Sequence, residues 1–186
     1  MNINTTFASR IRLIAAAGLL GLLGLLAACS TVDRAPSPEL VKNASWAVLP
    51  FENHTETPMA GSRAESIATA ILQARGVNSV KRYTGDAQQD ALFDGQNGKR
   101  REDALSWARE EGVRYALLGS VEEWRYKVGV DGEPAVGVAL EIVDVSEGKT
   151  VWSGTGGQSG WSRESLAAVG QKLIRNLLGT GIANAR

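Results

Sequence analysis

Residues 115–155 read YALLGSVEEWRYKVGVDGEPAVGVALEIVDVSEGKTVWSGT. Tyr115, Leu117, Gly119 and Val121 alternate on odd positions, whereas Trp124, Tyr126, Val128 and Val130 alternate on even ones. Residues spaced by two share one face of a strand. A change of phase without a break therefore calls for one extra residue, a bulge near Glu122 and Glu123. Val136, Val138, Leu140 and Ile142 repeat the period of two, the SEGK stretch from Ser146 turns the chain, and Thr150–Thr155 returns. Three strands in succession joined by short turns make an antiparallel meander.

Upstream, Trp46–Phe51 (WAVLPF) is an apolar run containing Pro50 and suits a buried strand. After the polar loop ENHTETPMAG, Ser62 and Glu65 have the spacing of a capping box, and Ile67, Ala68, Ile71 and Leu72 follow at helical spacing before Gly76. Ser79–Thr84 reads as a strand and Asp86–Phe93 as a short helix before the turn-rich DGQNG at 94–98. Asp103–Glu111 is a helix with Ala104, Leu105, Trp107 and Ala108 on one face, stopped by Gly112. Beyond the meander lie the glycine-rich TGGQSG, read as a loop, then Trp161 and then Ser162 as N-cap. A last helix follows with Leu166, Val169, Leu173, Ile174, Leu177 and Leu178 on one side. The expected fold class is α/β, a mixed five-stranded sheet with a C-terminal antiparallel meander packed against about three helices.

The amino-terminal stretch sets the compartment. Arg10 and Arg12 precede an apolar run from Leu13 to Leu25, and Leu26, Ala27, Ala28 and Cys29 form a lipobox. The run is short of the roughly 20 residues that span a bilayer. Residues 1–28 are read as a lipoprotein signal peptide and 29–45 as a lipidated flexible tether, with 46–186 a single α/β domain. Cleavage before Cys29 leaves its thiol to carry diacylglycerol and its amine a third acyl chain, and two chains already anchor stably at about 0.8 kcal/mol per methylene. Ser30 at the next position argues for the outer membrane. Ser30–Ser45 is rich in Pro and Ser, and extended it would reach about 50 Å.

Composition excludes several classes of function. Loss of the leader removes Arg10 and Arg12 and no acid, leaving 18 basic and 20 acidic side chains. Such a balance has no electrostatic footprint for nucleic acid. Cys29 is the sole cysteine, so its acylation leaves no thiol for a disulfide, a metal or a redox centre. His54 is the sole histidine and sits in a polar loop, where solvation is the simpler reading. No nucleophile, base or metal-ligand spacing stands out, and TGGQSG lacks the spacing of a phosphate cradle. No catalytic residue, metal site or cofactor is expected apart from the covalent lipid on Cys29. Lys99, Arg100 and Arg101 read as a solvated basic run. Trp46, Trp107, Trp124 and Trp152 fall on expected strands and helices and should be buried. Trp161 stands off the apolar pattern, either at the headgroup layer as a membrane-interface residue or as a staple on the last helix.

The stretches WAVLPFENHTETP (46–58), GVRYALLGSVEEWRY (112–126) and EIVDVSEGKTVWSG (141–154) resemble periplasmic lipoproteins with the TolB amino-terminal and CsgG-like fold, over nearly the whole chain. Absence of insertions points within that set to the lipoproteins of Pel-type polysaccharide secretion. The resemblance implies a homo-oligomeric ring on the inner face of the outer membrane, guiding a cationic exopolysaccharide toward a separate outer-membrane porin. A curli-type pore needs extra amphipathic hairpins of about 9–11 residues per strand, and this chain has no spare pair. Repeated around a ring, Asp131 and Glu133 in the turn GVDGEP would form an acidic polysaccharide funnel. The rival reading is an interaction module that activates or scaffolds a cell-envelope complex through one protein surface.

Overall fold

Trp46, Ala47 and Val48 are completely buried because the short strand they form is covered on both faces. The structure, a computed structural model, describes residues 30–41, 43–77, 79–83, 85, 97–129 and 132–183. In chain order the elements are β1 (Ser30–Arg34), β2 (Trp46–Val48), β3 (Glu52–Asn53), α1 (Ala60–Ala74), β4 (Val80–Arg82), α2 (Asn97–Glu110), β5 (Tyr115–Tyr126), β6 (Pro134–Asp144), β7 (Lys149–Ser159) and α3 (Leu166–Gly181). They build one mixed sheet in the order β1-β7-β6-β5-β2-β4, with β3 paired to β5 beyond β2. β2 is parallel to β4 and β5, whereas β5, β6, β7 and β1 are antiparallel neighbours.

The class is the one expected, an α/β fold with a closing meander, and the described residues hold three helices and a sheet of seven strands rather than five. One added strand, β3, follows the run WAVLPF and occupies the start of the stretch ENHTETPMAG expected as a polar loop. Pro50 has no N–H for the ladder, so the segment pairs with β5 through Trp46–Val48 and again through Glu52–Asn53. The other is β1, which lies within the segment expected to be a flexible tether. Ser30–Arg34 pairs antiparallel with β7, Ser30 opposite Gln158 and Arg34 opposite Gly154. The physical cause is the free edge of β7, whose backbone groups need partners. TGGQSG, expected as a loop, is correspondingly strand as far as Ser159, the distal half of β7. A Cβ at Gly156 would lie 2.9 Å from the Thr31 carbonyl oxygen and 3.0 Å from Leu173. The glycine therefore admits both the edge strand and α3.

The phase change in β5 is a bulge. Val121 pairs with Val138 and Glu123 with Gly137, leaving Glu122 as the extra residue. Trp124 is thereby returned to the face that carries Val121, where α1 and α3 pack over Trp46, Leu117, Ile142 and Trp152. α2 covers the opposite face, with Ala104 and Ala108 against Ala47, Leu49, Ala116 and Leu118. Val169, Leu173, Ile174, Leu177 and Leu178 are all buried on α3, each contributing about 1.5–3 kcal/mol.

Helix starts differ from the sequence reading. α1 begins two residues before Ser62, with Met59 in the left-handed region at φ 60°, and Glu65 is drawn inward to accept from Arg82 at 2.9 Å. A Cβ at Gly61 would sit 2.4 Å from the Phe51 carbonyl oxygen, so this glycine lets α1 start directly on the β2–β3 joint. α3 is capped by Ser165, whose hydroxyl accepts from Ala168 N–H at 3.1 Å, rather than by Ser162. The helix expected over Asp86–Phe93 lies outside the described residues. Gly112 is left-handed at φ 65° two residues after the end of α2, and stops the helix as expected.

Candidate functional site

β1 brings the amino-terminal segment to one end of the sheet. Its first residue, Ser30, is opposite Gln158, close to the end of β7, and Gly160 N–H then donates to the Pro134 carbonyl at 2.8 Å. The neighbouring Glu133 carbonyl accepts from Lys127 N–H at 2.7 Å. Ser30, Glu133 and Trp161, far apart in sequence, thus gather where the β5–β6 hairpin meets the β7–α3 turn. Cys29 and Asp131 lie outside the described residues. Cys29 is bonded to Ser30, and Asp131 belongs to the same GVDGEP turn as Glu133.

The Trp161 turn is built so that its ring faces out. Trp161 N–H donates to Glu164 Oε2 at 3.3 Å, and Glu164 N–H returns to the Trp161 carbonyl at 2.9 Å. Arg163 between them has φ 79°. The Lys172 ammonium on Glu164 holds that carboxyl below the usual glutamate range against partial desolvation, with help from the Trp161 N–H. The indole is 61% exposed, so it does not act as a staple on α3. Trp46, Trp124 and Trp152 are buried, and Trp107 meets Tyr83 edge-on at 5.3 Å between ring centres.

A second cluster escaped the sequence reading. His54 Nδ1 lies 3.2 Å from both Glu122 carboxylate oxygens, and its Nε2 lies 3.2 Å from Glu52 Oε2. Glu122 raises the histidine pKa above its ordinary value, chiefly by hydrogen bonding, against some desolvation and with Glu52 assisting. Glu122 is itself lowered, first by the Ser120 hydroxyl and then by His54. The signal was available in part: Glu52 and His54 are two apart at a strand end, so they share a side. Glu122 could be added only by knowing which loop passes the bulge.

The basic run is likewise not a loop. Lys99, Arg100 and Arg101 lie in α2, and Arg101 pairs with Glu141, which also accepts from the Thr150 hydroxyl at 3.1 Å. Glu141, Glu52, Asp33 and the Ser120 hydroxyl line an open cleft of about 630 Å³ beside α2. Both ring nitrogens of His54 are engaged by carboxylates, which leaves a charge-paired rivet rather than a free base. Among the described residues no group of three His, Cys, Asp or Glu side chains could hold a metal ion, and no helix is long and apolar enough to cross a membrane.

Neither a family model nor a curated protein matches the chain. Solved structures do. The PelC dodecamer from Paraburkholderia phytofirmans is 43% identical, with a TM-score of 0.71 over 85% of this chain and 99% of that one. The chain belongs to the PelC family. A second PelC dodecamer from the same organism, carrying one substitution, matches at the same identity and TM-score over its full length. Lipoprotein GNA1162 from Neisseria meningitidis, at 20% identity and a TM-score of 0.55, covers 76% of this chain and 99% of its own and shares the fold.

Proposed function

We propose that this PelC-family chain is a non-enzymatic ring component, lipid-anchored through Cys29 on the periplasmic face of the outer membrane. In this reading it guides a cationic exopolysaccharide to an outer-membrane porin during biofilm matrix secretion. The observation that carries it is the docking of β1: Ser30, bonded to Cys29, is held opposite Gln158 at the end where Trp161 and Glu133 emerge. Acyl anchor and exposed indole then face the membrane together, and the acidic turn beside them lies at the lumen. The dodecameric state of the PelC relatives supports repetition of that end around a ring. Carboxylates repeated around a lumen would produce a field that draws in a polycation and weakens with salt.

The mass of the unacylated chain beginning at Ser30 tests assembly, by light scattering with negative-stain images of the same peak. A start at Val32 would remove part of β1 and is to be avoided. A closed ring is expected, whereas a monomer both in solution and on lipid would favour the single-surface interaction module. In cells, Glu133→Lys combined with Asp131→Lys should reduce export while the ring still assembles. Undiminished export would remove the funnel from the reading.

A further inference from the structure

Three large apolar side chains stand exposed at the end just described: Tyr126 at 50%, Val128 at 101% and Trp161 at 61% of their full surface. They come from two segments, the tip of the β5–β6 hairpin and the β7–α3 turn. Lys127 Nζ donates to the Ser159 hydroxyl at 2.6 Å, and the Tyr126 hydroxyl reaches the Glu164 carbonyl at 3.4 Å, so the segments form one surface. Their exposure has a cause in the fold. Tyr126 continues the row of Trp124, which is covered where α3 presents Gly170. α3 begins only at Leu166, and Tyr126 meets the turn before it. Val128 lies one step further out and is fully exposed.

We propose that the tip of the β5–β6 hairpin, through Tyr126 and Val128, is a second lipid-contacting element that enters the interfacial layer of a phospholipid bilayer beside Trp161. The inference rests on the reading of Cys29 and Trp161 above. A bilayer suits this surface better than another copy of the chain for three reasons. Tyr and Trp carry an apolar body and a polar tip, which is the chemistry of the headgroup layer. Lys127 and Arg163 flank the rings, and the acids Glu123 and Glu164 are paired with Arg125 and Lys172, while Asp131 and Glu133 of the same turn belong to the lumen in the reading above. Chain continuity adds the third: the segment carrying Cys29 enters at Ser30, at this same end. The acyl chains on Cys29 hold the subunit at the bilayer but leave it free to tilt, and a rigid two-point contact beside the lipids would fix that tilt.

The test uses the mature chain with Cys29→Ala, which carries no acyl group, and vesicles of phosphatidylethanolamine and phosphatidylglycerol. Val128→Ser should leave the melting temperature unchanged and lower vesicle partitioning about tenfold, as expected for withdrawing one buried Val, and Tyr126→Ser added to it should lower it further. Since Cys29 is the only cysteine, Val128→Cys in the Cys29→Ala background gives one labelling site, and a polarity-sensitive dye there should shift to the blue on vesicles. Loss of partitioning in Trp161→Ala with none in the hairpin variants, and no dye shift, overturns this proposal and leaves the Trp161 reading standing. Loss in the hairpin variants alone supports it at the expense of Trp161. Unchanged partitioning in all variants overturns both. A ring that falls apart in lipid-free buffer on Val128→Ser assigns the tip to a contact between copies and also overturns it.

Discussion

The indole N–H of Trp152 donates to the Ala35 carbonyl at 3.2 Å, tying the end of the amino-terminal edge strand to the centre of the meander. Ala35 N–H donates in turn to the Ser153 carbonyl at 2.9 Å, and Arg34 reaches the Asn176 carbonyl on α3 at 2.7 Å. The segment that would bear the lipid is therefore part of the folded body.

Trp152→Phe should cost about 1–2 kcal/mol, from the lost hydrogen bond and the smaller ring. Urea unfolding gives the total. Hydrogen exchange locates it: amides of β1 should exchange faster while those of β6 keep their relative protection. Uniform loss across the sheet would show that β1 opens only with the whole domain.

Two glycines on α3 should respond with opposite signs to alanine. A Cβ at Gly170 would lie 2.6 Å from the Trp124 ring, whereas at Gly179 the nearest atom is an Arg75 guanidinium nitrogen at 3.6 Å. Gly170→Ala should lose about 1–3 kcal/mol by overpacking despite its better helix propensity. Gly179→Ala should gain up to about 1 kcal/mol. Thermal melts of the pair separate helix propensity from packing on one element.

The His54 rivet should act between two pH limits. His54 is raised, so its contribution is complete below the unfolded histidine value of 6.5 and disappears as pH rises through the higher folded value. Glu122 is lowered, so the same pair persists above the unfolded value of 4.5 and is lost as pH falls through the lower folded value. His54→Gln should therefore destabilise more at pH 5.5 than at pH 8.5, by less than about 1 kcal/mol because the pair is solvent-exposed. Equal effects at both pH values would mean that the ion pair adds nothing.

Asp144 should matter through the turn it closes. Its Oδ1 accepts from Ser146 N–H at 3.1 Å, the Ser146 hydroxyl at 2.7 Å and Glu147 N–H at 3.2 Å, while Oδ2 pairs with Arg114. Burial opposes its ionisation, but Ser146, Glu147 and Arg114 together hold the carboxyl below its ordinary value. Asp144→Ala should cost about 1–3 kcal/mol at pH 7. The difference from the parent should shrink below pH 3.8, as the carboxylate is protonated on passing through its depressed folded value. Denaturant titrations at pH 7 and pH 3 measure it.

Much of this architecture was legible from one-dimensional signals whose physics is local. The switch from odd to even apolar positions in 115–130 placed the bulge at Glu122, because a strand can change face only by an added residue. The 3.6-residue stripe from Leu166 to Leu178 marked α3 and its buried face, and Trp161 stood out by falling off every stripe. Two of the misreadings share one cause. Ser30–Arg34 and TGGQSG carry almost no apolar pattern of their own, and they are strands because each offers the other a free edge; Gly156 allows the approach that a side chain would block. The order of β2, α1, β4, α2 and α3 and the meander between the last two were thus determined by the sequence alone, through patterns that each segment carries within itself. The tertiary structure alone decided that the amino-terminal segment docks on β7, that Glu52 and Glu122 enclose His54, and that Tyr126, Val128, Glu133 and Trp161 share one end. These are meetings of residues distant along the chain, set by sheet register and edge pairing, which no local periodicity records.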